Sequence, residues 1–231
     1  VMTGMALFHG LVGVLREAGI QARIVSEERP APGDNLLETL PELESLPLVC
    51  LSETGRRLEM RASEVMIAYN WWISCNLEPA LAAQVAHFGQ DALPKLHLIQ
   101  DYEPQFYAFS AAHLMAHGAM GASWPLWGIF NSHELLSYWT RQGHQAEKTF
   151  VFEPMLNAAL RAHLNGLEAA HKTRTVLVYG RADVPRNAFF LIERGLRAWA
   201  ERYGRARSDW RIVSAGTPHD DIVHGGEHRL T

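Results

Sequence analysis

The chain has 231 residues, of which 48% are hydrophobic and 20% charged, and its formal net charge is −4. These values are ordinary for a globular protein with a substantial core, and the length suits one domain plus part of another. The acidic balance argues against nucleic-acid binding as the main role, because phosphate-dominated affinity needs a net basic surface. No segment approaches the roughly 20 consecutive apolar residues that a membrane-spanning helix needs.

The two cysteines, Cys50 and Cys75, lie in apolar surroundings, and no cleavable signal sequence precedes the first predicted helix. We therefore expect buried thiols in a reducing compartment, which favours a cytoplasmic protein. Peripheral contact with the inner face of the membrane stays open, although no strongly basic amphipathic helix requires it.

The N-terminal third of the chain gives irregular signals. A helical pattern covers residues 3–18 and ends at Gly19, and a short strand is predicted at 21–26, before the breaker-rich run ERPAPGDN. Weak strands are predicted at 48–51 and 57–60, and a stronger one at 65–69. Because the chain opens on this helix, we expect its N-terminal domain to lack a first strand.

From residue 78 onward the pattern alternates regularly. Helical periods at 78–88, 108–117, 132–142 and 155–164 are separated by apolar runs, which predict strands at 96–100, 126–130 and 148–151. This alternation indicates parallel βαβ units with helices on both faces of a sheet. The polar stretch at 166–174 then suits a linker.

A second unit of the same kind starts after this stretch. It comprises a predicted strand at 175–179, a loop at 180–185, a helix at 186–203 and a strand at 210–215. The His- and Gly-rich remainder has no helical period and is predicted to be a solvated loop. We therefore predict an α/β protein with a doubly wound Rossmann-like domain at 1–165, a linker at 166–174 and the truncated start of a second Rossmann-like domain at 175–231.

The turn after the strand at 175–179 has the chemistry of an anion site. Gly180 permits a sharp turn at the strand end, and Arg181, Arg186 and Asn187 surround the predicted helix start. Free N–H groups and the macrodipole at a helix start favour anions, and guanidinium groups bind phosphate oxygens in pairs. The turn predicts a diphosphate ligand, although two arginines at such a position also occur simply as solvated residues.

Competing motifs are absent or incomplete. The sequence has no G-x-G-x-x-G after a strand and no G-x-x-x-x-G-K-[ST], which argues against dinucleotide dehydrogenases and P-loop NTPases. His113 and His117 share a helix face, but the run HLMAH has Leu where a zinc protease has its Glu. The terminal run HDDIVHGGEH reads better as a solvated loop than as a metal site. We predict no metal and no cofactor.

Two segments resemble glycosyltransferases. The run YGRADVPRNAFFLIERGL is similar to the start of the second domain in GT-B glycosyltransferases of family four, where a strand, an Arg and a second basic residue open the donor site. The upstream run IQDYEPQFYAFSAAHLMAHGAM resembles the N-terminal domain of rhamnosyltransferases that build bacterial surface glycans, which carry a Q-D-[YF]-E-P-x-F-Y element. Residues 100–107 match that element, and the resemblance covers roughly residues 62–216.

The resemblance implies a GT-B fold, in which two Rossmann-like domains face each other across a cleft without an obligatory metal. Arg181 and Arg186, with Gly180 and Asn187 beside them, would hold the diphosphate of a nucleotide-sugar donor, for which dTDP-rhamnose is the candidate. Family-four enzymes also carry a pair of glutamates farther along the second domain, and this sequence ends before them. We therefore expect an incomplete donor site.

The same resemblance assigns the element at 100–107 to the cleft. Asp101 and Glu103 are the candidate catalytic carboxylates, one of which would deprotonate the acceptor hydroxyl if the reaction inverts the anomeric centre. Tyr102 would bind sugar or acceptor. If the reaction retains the configuration, no such base is required.

Aromatic and amide side chains near strand ends complete the candidate list. Trp71 and Trp72, directly after the strand at 65–69, suit stacking on a sugar, whereas most other aromatic rings are expected in the core. Asn131 follows another strand and is a candidate sugar- or acceptor-binding residue. Ser132 next to it suits a helix N-cap.

Together these features predict a bacterial glycosyltransferase that moves a sugar from a nucleotide-diphosphate donor to a glycan or lipid-linked glycan acceptor in surface polysaccharide synthesis. Rhamnose is implied only by the resemblance. The alternative is a noncatalytic nucleotide-sugar binding or interaction module, and an epimerase is disfavoured because the dinucleotide fingerprint is missing. The acceptor, the stereochemistry and the oligomeric state stay open.

Overall fold

The computed structural model describes residues 2–29, 46–121, 124–152, 161, 164, 171–203, 209–219, 222–224 and 228–230. The chain divides into two compact units, Val1–Asn157 (unit 1) and Ala158–Thr231 (unit 2). Both combine helices with parallel strands, which confirms an α/β fold compatible with Rossmann-like domains. The helix predicted at 155–164 and most of the linker predicted at 166–174 lie outside the described residues.

Unit 1 begins with helix α1 (Met2–Glu17) and a small parallel sheet of β1 (Ile24–Ser26) and β2 (Leu48–Cys50). Helix α1 ends as predicted, because Gly19 adopts a left-handed φ of 67° and its N–H donates to the Arg16 carbonyl at 3.0 Å. Strand β1 is shorter than predicted, and β2 lies within the predicted 48–51.

The main sheet of unit 1 has four parallel strands in the order β3-β4-β5-β6. These strands are β3 (Ile67–Ala68), β4 (Lys95–Ile99), β5 (Leu126–Phe130) and β6 (Lys148–Val151). They alternate with helices α2 (Trp71–Phe88), α3 (Ala111–Ala119) and α4 (His133–Arg141). The predictions of parallel βαβ units and of strands at 126–130 and 148–151 are confirmed.

The prediction of a strand at residues 57–60 is wrong, since this segment is irregular. Side chains, rather than a neighbouring strand, bind its backbone carbonyls: Thr54 Oγ1 donates to Arg57 O at 2.8 Å, and the Arg23 guanidinium donates to Glu59 O. Arg56, just before the segment, has a φ of 60° and turns the chain sharply. The sequence pattern did not indicate this turn.

Helix α2 starts at Trp71 rather than at residue 78. Asn70 is its N-cap, because Asn70 Oδ1 accepts a hydrogen bond from Ile73 N at 2.9 Å. Pro79 lies inside the helix, and a proline there usually indicates a helix start, which explains why the first turns were not predicted. Trp71 and Trp72 therefore belong to the first helical turn and not to a loop.

The core of unit 1 packs helix α4 and the loop after β4 against the main sheet. Its buried members are Ile99, Tyr102, Met120, Leu126, Phe130 and Trp139. Trp139 is 1% exposed and stacks on the buried imidazole of His144, with ring centroids 5.4 Å apart and planes 25° apart. Fully burying a large apolar side chain contributes about 1.5–3 kcal/mol, so this cluster holds helix and sheet together.

Two polar residues of β4 are also buried. Lys95 is fully buried, and its Nζ donates to Glu78 Oε1 at 2.8 Å and to Ser74 O at 3.2 Å on α2. His97 is 1% exposed, and neither of its ring nitrogens has a hydrogen-bond partner among the described residues. Burial, with a smaller contribution from the charge of Lys95, lowers the pKa of His97 to about 3.

Unit 2 contains helix α5 (Phe189–Tyr203) and a four-stranded sheet in the order β7-β8-β10-β9. The strands are β7 (Thr175–Gly180), β8 (Arg211–Gly216), β9 (Ile222–His224) and β10 (His228–Leu230). Strands β7 and β8 are parallel, and Val178 and Ile212 from them pack against Phe189 in the core. The prediction of a solvated loop after residue 215 is wrong, because β9 and β10 pair antiparallel and β10 pairs with β8. Three-residue strands are too short to show a period in sequence.

The Glu78–Lys95 pair predicts a large effect of removing one charge. Glu78→Gln should destabilise unit 1 by roughly 2–3 kcal/mol, because it leaves a buried ammonium without its counterion; partial exposure of Glu78 moderates the cost. The double variant K95M/E78L should recover most of this loss. Urea unfolding followed by circular dichroism measures both, with exposed Glu147→Gln as control. A change no larger than the control would contradict a stabilising buried pair.

His97 predicts acid sensitivity of unit 1. Its folded pKa of about 3 lies below the unfolded value of about 6.5, so the unfolded chain binds more protons, and stability falls as the pH drops from about 6.5 toward 3. This group alone contributes a slope of about 1.4 kcal/mol per pH unit. His97→Leu should remove that part of the slope in urea titrations between pH 4.5 and 7.5, whereas His133→Leu at an exposed site should not. Equal slopes in wild type and His97→Leu would refute the assignment.

Candidate functional site

Unit 2 has its candidate site at the carboxyl ends of β7 and β8, where the two strands come very close. Gly180, the last residue of β7, is in register with Gly216, the last residue of β8. A Cβ on Gly216 would lie 2.0 Å from Gly180 O, and a Cβ on Gly180 would lie 1.9 Å from Ser214 Oγ. Gly180 does not have a positive φ, so the glycine is required here for close approach and not, as predicted, for a sharp turn.

A pocket of about 220 Å³ opens at these strand ends. It is lined by Ser214, Gly216, Thr217, Pro218 and His219. Ser214 Oγ and His219 Nε2 are hydrogen bonded at 2.7 Å, and the imidazole packs on the Phe189 ring with centroids 5.0 Å apart. Ligands of open α/β sheets bind in the crevice outside the carboxyl ends of the strands, which is where this pocket lies.

Thr217 connects the loops that follow the two strands. Its N–H donates to Gly180 O at 2.8 Å, and its hydroxyl donates to Asp183 Oδ1 at 2.7 Å. This hydroxyl lowers the pKa of Asp183, and the charge of Arg181 acts in the same direction. The loop after β7 is therefore held against the loop after β8.

The stem of the Arg181 side chain lies beside Gly216. Its Cγ lies 3.2 Å from the position that a Cβ on Gly216 would occupy, and Gly216 lines the pocket. Of the four residues predicted to bind a diphosphate, Gly180 and Arg181 thus lie next to a residue that lines the pocket, and none of the four lines it.

Arg186 and Asn187 lie on a different local structure from the one predicted. Pro185–Asn187 form a single 3-10 turn, and Ala188, with a left-handed φ of 51°, separates this turn from α5. The α-helix starts at Phe189 and not at residue 186, so the macrodipole argument for Arg186 is corrected. Arg186 is exposed, and Asn187 is half-buried with no hydrogen-bond partner for Nδ2 in the part of the chain that the structure describes.

Sequence reasoning predicted none of the five residues that line this pocket, among them the polar residues Ser214, Thr217 and His219. The run SAGTPH does contain a signal, because a glycine ends β8 just as a glycine ends the preceding parallel strand. Ser214 and His219 are five positions apart, and only the turn after β8 brings their side chains into contact.

In unit 1, the element at residues 100–107 follows β4 and contacts the start of α2. Glu103 Oε2 accepts a hydrogen bond from Trp71 N at 2.6 Å, and Trp71 Nε1 donates to Tyr107 OH at 3.0 Å. Trp72 contacts Trp71 edge to face and is 48% exposed. The structure therefore brings Glu103, Trp71 and Trp72 together at the carboxyl ends of the parallel strands.

Asp101 and Tyr102 have opposite environments. Asp101 is exposed, and its carboxylate accepts the backbone N–H of Tyr102 at 2.9 Å. Tyr102 is 5% exposed, and its hydroxyl lies 3.0 Å from His144 Nε2 in the core. Burial raises the pKa of Tyr102, and burial together with His117 lowers the pKa of His144 to about 4. Tyr102 therefore packs and hydrogen bonds inside unit 1, a role that the sequence did not indicate.

Asn131 joins the ends of two neighbouring strands. Its Nδ2 donates to Gln100 O at 2.9 Å, which connects the residue after β5 to the residue after β4. Ser132 caps α4 as predicted, because its Oγ accepts the Leu135 N–H at 3.1 Å. Among the described residues, no three His, Cys, Asp or Glu side chains form a group that could hold a metal ion, and none of the described helices is long and apolar enough to cross a membrane.

Comparison with known families identifies the chain. Residues 1–133 match the family model described as WsaF, N-terminal domain, and residues 174–231 match the one described as WsaF, C-terminal domain. No curated protein matches the chain. The matches support a glycosyltransferase family. The chain belongs to the WsaF family.

The glycine pair predicts opposite effects of the same substitution at two sites in unit 2. Gly216→Ala should destabilise this unit by about 2 kcal/mol or more, because the new Cβ meets backbone that must move. Gly195→Ala, where a Cβ on α5 meets nothing within 4 Å, should stabilise it by about 0.5–1 kcal/mol. Thermal unfolding measures both, and a neutral Gly216→Ala would show that the strand ends can separate without cost.

Proposed function

We propose that this protein is a glycosyltransferase that moves a sugar, with rhamnose the first candidate, from a nucleoside-diphosphate donor to a glycan acceptor in surface polysaccharide synthesis. Membership of the WsaF family supports the reaction class. The observation that carries the proposal is the pocket at the ends of β7 and β8, with the stem of Arg181 beside its lining residue Gly216. A GT-B arrangement of two Rossmann-like domains, with its divisions at 1–165 and 175–231, is part of the proposal.

The donor diphosphate belongs at this pocket. Glycosyl transfer passes through an oxocarbenium-like state while negative charge builds on the leaving diphosphate, and a fixed cation stabilises that charge. Arg181, whose stem lies beside Gly216, carries a permanent charge, and Arg186 carries a second one on the adjoining 3-10 turn. The Asn187 amide, without a partner for Nδ2 in the described residues, adds a donor group beside them. dTDP-rhamnose is the donor that we would test first.

The acceptor belongs at the element of residues 100–107 in unit 1. Asp101 is the better candidate for a general base, because it is exposed, whereas Glu103 already binds the Trp71 N–H. Glu103 then positions the aromatic surface formed by Trp71 and Trp72, whose exposed ring suits the C–H face of a sugar. Asn131 holds the end of β4 through Gln100 and lies at the same edge of the sheet. Tyr102 would contact the acceptor only if its buried ring moved.

We propose that the protein acts in the cytoplasm, with a nucleotide sugar as its co-substrate. No further cofactor is proposed. A lipid-linked glycan acceptor would bring the enzyme to the inner face of the membrane. Nucleic acid is not among the proposed partners, because the net charge of −4 gives the chain no overall basic character.

Donor binding provides the decisive test. Arg181→Ala should lower the affinity for dTDP-rhamnose by about tenfold to hundredfold in isothermal titration calorimetry, because a charge-assisted contact with the diphosphate is lost. Arg194→Ala, an exposed arginine on α5, is the matched control and should bind like wild type. Equal affinities of the Arg181→Ala and Arg194→Ala variants for dTDP-rhamnose would contradict a donor site at this pocket.

Asp101 and Glu103 provide a second test, because substitutions of these two residues should have different effects on kcat. Asp101→Asn should lower kcat by about a hundredfold or more with little change in KM, because it removes the base. Glu103→Gln keeps an acceptor for the Trp71 N–H and should retain most of kcat. Transfer of radiolabelled rhamnose to a glycan acceptor measures both. If donor binds but no acceptor receives sugar, the chain is a nucleotide-sugar binding module instead.

A further inference from the structure

Ser214 and His219 form a polar pair at the pocket of unit 2, on the side that β8 supplies. Their hydrogen bond of 2.7 Å fixes the imidazole from one side, and the Phe189 ring packs on it from another. His219 Nε2 also lies only 3.0 Å from the position that a Cβ on Gly180 would occupy. Contacts from β8, α5 and the end of β7 therefore hold this imidazole in place.

The surroundings of Ser214 favour an orienting role for its hydroxyl. Ser214 Oγ lies against Gly180, so close that any Cβ there would overlap it at 1.9 Å. A nucleophilic serine needs an approach path for its substrate, and this hydroxyl faces the neighbouring strand end. Its contact with His219 Nε2 instead sets the orientation of the ring.

Arg181 and the Ser214–His219 pair belong to the ends of two adjacent strands. Arg181 comes from the end of β7, and its Cγ lies 3.2 Å from a Cβ position on Gly216, whereas His219 lines the pocket from the segment after β8. An imidazole that lines the pocket and an arginine whose stem lies beside Gly216 match a ligand group that carries several anionic oxygens. A diphosphate is such a group, whereas a neutral sugar or base is not.

We propose that His219, oriented by Ser214, is a second donor-binding residue and that its imidazole donates a hydrogen bond to a diphosphate oxygen of the nucleotide sugar. This inference rests on the proposed function, because it assigns a further partner to the same donor. Arg181 binds the diphosphate from the β7 side, and His219 binds it from the β8 side.

Wild-type protein provides the first test. The chain, labelled with 15N in its histidine rings, is titrated with inorganic pyrophosphate and with dTDP-rhamnose, and the ring signals are followed by NMR. The His219 signals should shift with both ligands, and those of His171, which is exposed in the same unit, should not. His219 signals that stay unchanged while the donor binds would overturn the inference.

Variants separate ligand binding from structural support. His219→Phe keeps a ring against Phe189 but loses the donor group, and its affinity for dTDP-rhamnose should fall by about tenfold to hundredfold. His219→Gln restores an N–H donor and should recover at least part of that loss, which a merely structural role would not produce. Ser214→Ala should cost less than His219→Phe, and His171→Phe should match wild type. Circular dichroism melting checks that each variant is folded.

The outcomes distinguish this inference from the proposed function. If Arg181→Ala loses donor affinity while His219→Phe and His219→Gln both bind like wild type, the donor site stands and the role of His219 is overturned. If His219→Phe does not fold, the NMR shifts of wild type and the affinity of His219→Gln decide. If wild type binds neither pyrophosphate nor dTDP-rhamnose, the proposed function fails and the inference fails with it.

Discussion

The close approach of Gly180 and Gly216 is the constraint on which unit 2 depends. Because neither residue has a side chain, β7 and β8 can stay in register to their last residue, and the loops that follow them leave the sheet side by side. Thr217 can then bind Gly180 O, and Ser214 can reach His219. The pocket is thus a consequence of backbone packing, and its polar side chains come from Ser214 in β8 and from Thr217 and His219 after it.

In unit 1, side-chain hydrogen bonds connect the segments at the strand ends, whereas in unit 2 the strand ends meet through close backbone contacts. Glu103 binds the first N–H of α2, Trp71 binds Tyr107, and Asn131 binds Gln100 O, so the segment after β4 is attached to both of its neighbours. A carboxylate near a helix N-terminus is also favoured by the macrodipole. Asp101 and Trp72 are exposed. They extend from a loop and a helix start that these hydrogen bonds hold in place.

Local signals in the sequence were sufficient for the regular parts of the fold. Strands β5 and β6 and the Ser132 cap follow directly from apolar runs and capping chemistry. Failures occurred where tertiary contacts replace the local rule: Pro79 is accommodated inside α2, and the short strands β9 and β10 exist only because they pair with each other and with β8. At the candidate site, the strand-to-turn pattern drew attention to Gly180 and Arg181, whereas the Ser214–His219 contact depends on a turn that no periodicity encodes.

The stacking of Trp139 on His144 gives unit 1 an optical property of its own. A protonated imidazole is an efficient quencher of indole emission, whereas a neutral one is a weak quencher. Because the pKa of His144 is lowered to about 4 by burial, the ring stays neutral in mildly acidic solution while the core is closed. Opening of the core would admit water and a proton to the imidazole. The environment of Trp139, one of the seven tryptophans in the chain, would therefore change when the helix leaves its sheet.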